Sequence, residues 1–445
     1  MPEIASPSAS TLNPAKTARQ RTDTFTSIWM MIAVAMAIAT LVAKSRMPQP
    51  LWTMIHLVTL GVLSNGIFQW SWFFARSLAR LSADDPRARR HNTIRVLIFN
   101  AFFALLFVSM WLGWMVGTVI AATGIAAVAA WHGAEMLSVL RERLASRFVV
   151  VVRYYVCSAS FFVLAALLAS FVTVTMFSPS IPEAMVAMRD RLTLAHALSG
   201  AAGWVGLTIG GTVITLGPTI LRTRMSPDAV SGGVRVLLPW CLSLILAIAA
   251  ALLGMMPLVG AGILAIGACA IVGIVYPYAK VLRNKGPREY SAWSFLLGLL
   301  WISVGVCALG VVALFVSTPS QLRALTLMWL PIIGIAGFTQ LFQGALSYLM
   351  PVVIGGGPSI VRIGIAIIDW QFPLRLGLRN SALILELFLF FAGDSTSVHV
   401  LRMAGWFLVI ATFVIDVVIY AKTGVTQARA RRARSETLSE SRQVQ

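Results

Sequence analysis

Apolar stretches of about twenty residues or more follow one another almost without interruption, and each is long enough to cross roughly 30 Å of hydrocarbon as a helix. Inside a bilayer no water satisfies the backbone, so helices must close their own hydrogen bonds. Twelve transmembrane helices are expected, over 26–45, 50–77, 94–112, 114–140, 148–177, 191–221, 234–254, 258–282, 291–317, 321–353, 375–393 and 396–421. The stretch 355–372 opens on Gly355-Gly356-Gly357-Pro358 and reads as an interfacial segment. Composition agrees: 58% of the 445 residues are hydrophobic and 11% charged, which no soluble chain of this size sustains. The predicted fold is an all-α integral membrane protein of the plasma (cytoplasmic) membrane, surrounded by the lipid bilayer, with a single polytopic domain over 26–421. Residues 1–25 are rich in Ser, Thr, Pro and Ala, lack the apolar core of a secretory signal, and read as a disordered cytoplasmic tail. Residues 422–445 form a basic cytoplasmic tail.

The net charge of +19 has to be read by position. With both termini in the cytoplasm, Arg76, Arg80, Arg87, Arg89, Arg90 and Arg95 share one inner loop, and Lys280, Arg283, Lys285 and Arg288 another. Arg429, Arg431, Arg432 and Arg434 then lie inside as well. Only six of the 35 Lys and Arg (Lys44, Arg46, Arg189, Arg191, Arg323 and Arg402) fall on the outer side. Topology thus accounts for the basicity through the positive-inside rule, and nucleic acid is excluded as a partner. Attraction of the inner face to anionic headgroups follows from the same charges. The four cysteines, Cys157, Cys241, Cys269 and Cys307, each stand alone in an apolar stretch, which excludes a disulfide framework and a CxxC metal site. No phosphate-binding glycine loop, HExxH or Ser-His-Asp set is present.

Three segments share a pattern. His56-Leu57-Val58-Thr59-Leu60-Gly61 opens helix 2, the run from His196 to Gly210 opens helix 6, and the run from Leu330 to Gly344 opens helix 10. In the last two, Gly203 and Gly337 each precede another glycine by seven residues, and Pro218 and Pro351 follow. Small residues spaced in this way let helices approach closely in lipid. The expectation is about twelve helices in three pseudo-threefold four-helix repeats, with both termini cytoplasmic.

This plan, with histidines near the outer ends of helices 2 and 6, resembles the haem-copper oxidase subunit I superfamily, and more closely the NnrS-type haem- and copper-containing membrane proteins. The resemblance runs from helix 1 to helix 12. It implies that His56 is an axial ligand of a low-spin haem and that His196 binds copper. Helix 7 carries no histidine, however, and Trp329 and Leu330 stand at the helix 10 ligand position, so a complete oxygen-reducing centre is not expected. The implied function is a haem- and/or copper-binding protein linked to nitric oxide, nitrite or copper metabolism. An outer-side cupredoxin or copper nitrite reductase would be its partner. Two other readings stay open: a secondary transporter, and a metal-free oxidase-like sensor or assembly factor.

Five histidines can be weighed one by one. His56, His196 and His399 share a depth near the outer ends of their helices, where neutral imidazoles suit haem iron or copper. Met54 lies two residues from His56 and offers a soft thioether; 11 of the 18 methionines fall toward the outer side, where they could equally fill gaps. His132 and Glu135, three residues apart on helix 4, are either a proton-conducting or metal-binding pair or an interfacial pair near Arg141 and Arg143. His91 reads as a solvated loop residue. Glu386, Asp394 and Arg402 fall at one depth if helices 11 and 12 form a tight hairpin, and pair structurally or serve as proton carrier (Glu386) and haem-propionate partner (Arg402). Asp416, Gln340 and Gln343 are further candidates for a proton or water path, or for interhelical hydrogen bonds.

Overall fold

A computed structural model describes residues 25–26, 28–36, 39, 49–82, 84–143, 149–177, 182–223, 227–284, 286–327, 329–393 and 395–443. The expected N-terminal tail up to residue 24, residues 27, 37, 38 and 40–45 of the expected span 26–45, and Met328 and Asp394 lie outside the described residues. Among the described residues the protein is helical throughout, with no strand, and ten helices are long and apolar enough to cross a membrane.

In chain order the ten are α1 (Pro50–Ala79), α2 (Arg89–Trp111), α3 (Met115–Glu142), α4 (Val149–Phe177), α5 (Ala184–Ile220), α6 (Ala229–Leu253), α7 (Met256–Lys280), α8 (Tyr290–Phe315), then, after short α9 (Pro319–Thr326), α10 (Ile332–Ile354). Two helices that do not count among the ten follow, α11 (Pro358–Ile368) and α12 (Phe372–Phe390), before the last apolar span within α13 (Thr396–Gln443). Starts follow local chemistry. Pro50, Pro257, Pro319, Pro358 and Pro373 sit in first turns, where a missing N–H costs nothing, and the Thr318 side chain accepts the Gln321 N–H to cap α9.

Several expectations shift. The stretch 321–353 divides into α9 and α10. Short α11 occupies the segment read as interfacial. Helix α12 forms where a span was expected, but Arg375, Arg379 and Glu386 interrupt its apolar run. The basic tail expected from residue 422 continues α13 as helix. Its arginines have backbone partners: Arg431 donates to Ile354 O at 2.8 Å, and Arg434 to Gly356 O and Ser359 Oγ, each at 3.1 Å. Ile354 closes α10, and Gly356 lies in the turn Gly355-Gly356-Gly357, whose φ angles of 73, 101 and 92° are open to glycine and strained for any other residue.

Among the described residues five π-helical segments interrupt the regular winding, at Leu57–Ser64, Arg87–His91, Ser199–Gly206, Ile271–Val275 and Ile335–Thr339.

The stretch read as one membrane domain divides into two compact units. The first comprises Met1–Thr212 and Leu244–Gly254, the second Val213–Ser243 and Met255–Gln445. An aromatic core fills the first: Phe68 lies 5.0 Å from Phe99 and 5.4 Å from Trp204, whose ring stacks on Phe162 at 4.6 Å. Trp204 Nε1 also donates to Ser64 Oγ at 2.9 Å, a buried bond spanning 140 residues of chain. In the second, Trp301, Trp329, Ile332, Ile333, Ala336, Ala382, Leu383 and Val409 form a buried apolar cluster, and backbones approach closely where α8 crosses α10 at Gly298, Gly337 and Gly344.

Candidate functional site

The first unit brings together two histidines that the sequence separates by 140 positions. His56, at the last α-helical residue before the π segment of α1, and His196 on α5 have ring centroids 6.1 Å apart and planes inclined by 14°. Each ring is fixed from behind: His56 Nδ1 donates to Trp52 O at 2.9 Å and His196 Nδ1 to Ala165 O at 2.8 Å. A carbonyl can only accept, so both Nδ1 atoms carry the proton and both Nε2 atoms present a lone pair. Among the described residues neither Nε2 has a hydrogen-bond partner. Backbone anchoring of one ring nitrogen is the usual outer-shell support of a metal-ligating imidazole. The Trp52 indole stacks on His56 at 4.3 Å and packs toward Phe107, and Trp111 Nε1 donates to Thr53 Oγ1 at 3.0 Å.

Met54, two residues before His56 on α1, is half-buried; residues two apart on an α-helix leave it on different sides. His399 is exposed near the start of α13.

A second cluster in the first unit gathers at the arginine-rich end. Glu135 accepts from His91 Nδ1 at 2.7 Å and from Trp131 Nε1 at 2.9 Å, and is ion-paired with Arg95, which is fully buried. The Arg95 guanidinium lies over Trp72 at 5.1 Å and Trp131 at 5.4 Å, where ring quadrupoles favour a cation. Two expectations change here. His91, read as solvated, keeps 39% side-chain exposure and also partners Glu135, because the π segment Arg87–His91 carries it to α3. The cation beside Glu135 is Arg95 instead of Arg141 or Arg143.

His132, one turn away, is buried and turns to Ser71 Oγ, 3.3 Å from its Nε2. Phe68 and Trp204 meet its ring edge-on at 4.9 and 6.1 Å, and among the described residues its Nδ1 has no hydrogen-bond partner. Nearby, Arg87, outside the spans, bonds both Asp85 (2.8 Å) and Glu142 at the end of α3 (2.6 Å). Its guanidinium holds the Asp85 carboxyl below the usual carboxylate range.

In the second unit the buried polar groups converge on Asp416 of α13. Arg375 and Arg379 of α12 both bind its carboxylate, and Tyr290 OH donates to Oδ2 at 2.7 Å. Arg379 also donates to Gln343 Oε1 at 3.0 Å and Thr412 Oγ1 at 3.1 Å; Arg375 Nε donates to Trp370 O at 3.0 Å. Gln340 and Asn380 exchange amide bonds of 2.9 and 3.1 Å, and Trp301 Nε1 donates to Asn380 at 2.8 Å. Asp416, Gln340 and Gln343 were picked out from sequence, but Arg375 and Arg379 were counted as inner-end charges. They are buried, at 4% and 0% exposure, because α12 sets them against α13. Four residues apart on one helix face, opposite a lone intramembrane Asp, was the signal available.

Glu386 of α12 is also buried. Among the described residues its Oε1 has no hydrogen-bond partner, and it lies against Gly405 of α13, so closely that an added Cβ there would collide with it. Arg402 donates to Leu389 O at 2.8 Å.

Among the described residues no group of three or more His, Cys, Asp or Glu is placed to hold a metal ion. Compared with known proteins, the chain matches no family model, no curated protein and no solved structure.

Proposed function

We propose that the chain is a haem- and/or copper-binding multi-pass protein of the plasma membrane, of the haem-copper oxidase and NnrS type, without a complete oxygen-reducing centre and acting in nitric oxide, nitrite or copper metabolism. One observation carries this reading: two near-parallel imidazoles, His56 and His196, 6.1 Å apart, with both Nδ1 atoms anchored on carbonyls and both Nε2 atoms free to ligate. The donor chemistry fits, since neutral imidazole serves both iron and copper. When bound, such a metal supplies electron transfer or a coordination position for a small molecule. The protein's own part is to fix the tautomers and to wall the site with Trp52 and Phe107.

The scaffold belongs to the same proposal. Ten apolar helices, together with α12 and the stretch 26–45, make twelve, with both termini cytoplasmic. The threefold repeat is supported by π segments in α1, α5 and α10, at Leu57–Ser64, Ser199–Gly206 and Ile335–Thr339, on the matched stretches of helices 2, 6 and 10. His132 and Glu135 form one candidate proton path and Glu386 and Asp416 another. Docking of a cupredoxin or copper nitrite reductase at the outer side completes the reading, with Arg402 and His399 as lesser cofactor contacts.

A second reading, a secondary transporter, is favoured by the two buried guanidiniums on α12, since intramembrane charges mark substrate paths.

A reduced-minus-oxidised optical spectrum with metal analysis on the same purified sample tests the proposal. Haem bands or copper in stoichiometric amount are expected, with loss or shift in His56→Ala or His196→Ala. A sample with neither haem nor copper after reconstitution would refute it and favour the transporter.

A further inference from the structure

We propose that His56 and His196 jointly hold one monovalent copper ion, Cu(I), as a two-coordinate bis-imidazole site, instead of serving a haem and a copper separately. This rests on the metal-binding function above and specifies the ion.

The spacing is the first reason. An ion about 2 Å from one nitrogen of each of two imidazoles allows their ring centroids to stand at most about 6 Å apart, and the two rings, at 6.1 Å with planes inclined by 14°, lie at that reach. The tautomers are the second. Carbonyls of Trp52 and Ala165 hold both Nδ1 protons, so both ligands are neutral and no carboxylate stands behind either ring. The bound ion's charge is then uncompensated in an apolar span. Because the desolvation cost of an ion grows with the square of its charge, a monovalent ion costs about a quarter of what a divalent one does.

Coordination number is the third. Zn(II) asks for four ligands in a tetrahedron and Cu(II) for a tetragonal set. Among the described residues no third His, Cys, Asp or Glu completes a group, and residues two apart on a helix, as Met54 and His56 are, leave it on different sides. A d¹⁰ Cu(I) ion is satisfied by two imidazoles in line. The fourth reason concerns haem. The Trp52 indole lies flat against His56 at 4.3 Å and 20°, backed by Phe107 at 6.3 Å. An indole so close to the ring fills space that a macrocycle seated between the two imidazoles would sweep through.

The test is an anaerobic Cu(I) titration of the full-length protein in detergent against a chromophoric Cu(I) chelator, with copper-edge X-ray absorption on the loaded wild type. One Cu(I) per chain is expected, with two nitrogen neighbours in line and no paramagnetic signal. His56→Asn and His196→Asn should each weaken binding by at least roughly 100-fold. Gly66→Ala, where an added methyl meets nothing within 4 Å, should bind as wild type. The absorption spectrum of the unmutated protein decides the coordination even if a histidine variant folds poorly. Three or more ligands, a stable Cu(II) signal, or copper retained by either variant with unchanged affinity would overturn the inference. Stoichiometric haem dependent on these histidines would overturn it while leaving the metal-binding function standing; neither haem nor copper would overturn both.

Discussion

Replacing Asp416 with asparagine should be the most damaging isosteric change in the second unit. The carboxylate is fully buried and is the shared counter-charge of Arg375 and Arg379, themselves 4% and 0% exposed. At an effective dielectric of about 20, a unit-charge pair separated by about 4 Å interacts by about 4 kcal/mol, so two pairs supply about 8 kcal/mol. Asparagine keeps one carbonyl acceptor and roughly the same volume, which recovers part of the loss. Its NH₂ meets guanidinium donors instead of accepting from them, and two cations remain buried beside each other. A net loss of about 3–5 kcal/mol results, the range found when one partner of a buried ion pair is removed. Unfolding in a mixed-micelle SDS titration, followed by the fluorescence of the buried tryptophans, measures it. Arg375→Met should cost less, because Asp416 keeps Arg379 and the Tyr290 hydroxyl. Asp416→Leu combined with Arg375→Met and Arg379→Met should recover much of the stability lost in Asp416→Asn, since an apolar set of similar volume needs no counter-charge. A loss below about 1 kcal/mol for Asp416→Asn would refute the view that this carboxylate neutralises the pair.

Gly344→Ala should destabilise by about 1–3 kcal/mol through overpacking, because its Cβ would stand 2.5 Å from Phe295 N, a backbone atom that cannot swing aside; Gly66→Ala in the same unfolding titration should be close to neutral. Trp204→Phe removes the 2.9 Å bond to Ser64 Oγ and should cost about 1 kcal/mol beyond lost packing. A Ser64→Ala, Trp204→Phe double-mutant cycle with no coupling would count against that bond. The Asp85 carboxyl is held below its usual range by Arg87. The folded value lies below the unfolded one of about 3.9, so the stabilisation is fully present above that pH and is lost as the pH falls through the folded value. Protection factors for amide exchange at residues 84–87 should therefore fall on acidification below about pH 4, and Asp85→Asn should remove the dependence.

The histidine pair was half legible. His56 and His196 stand out in sequence as the paired histidines that open helices 2 and 6, yet nothing in their spacing makes them neighbours: α1 and α5 have to pack for two rings 140 residues apart to face each other. His399 shares their depth in sequence and remains exposed, because depth along a helix says nothing about direction around it. His91 looked like a solvated loop residue because arginines surround it, and it is the π winding of Arg87–His91 that delivers it to Glu135.

Sequence by itself determined that the chain is helical, with helices long and apolar enough to cross a membrane. Those properties depend on runs of apolar side chains and on prolines at helix starts, which act locally and add along the chain. It also singled out Asp416, His56 and His196 as residues whose chemistry is out of place in hydrocarbon. Tertiary structure alone decided their partners. Arg375 and Arg379 appear in sequence as charges at a helix end, and become the counter-ions of Asp416 only because α12 packs along α13, burying all three groups. Burying a charge is costly enough that its partner must be within reach, but which partner comes within reach depends on how helices distant in sequence are laid together.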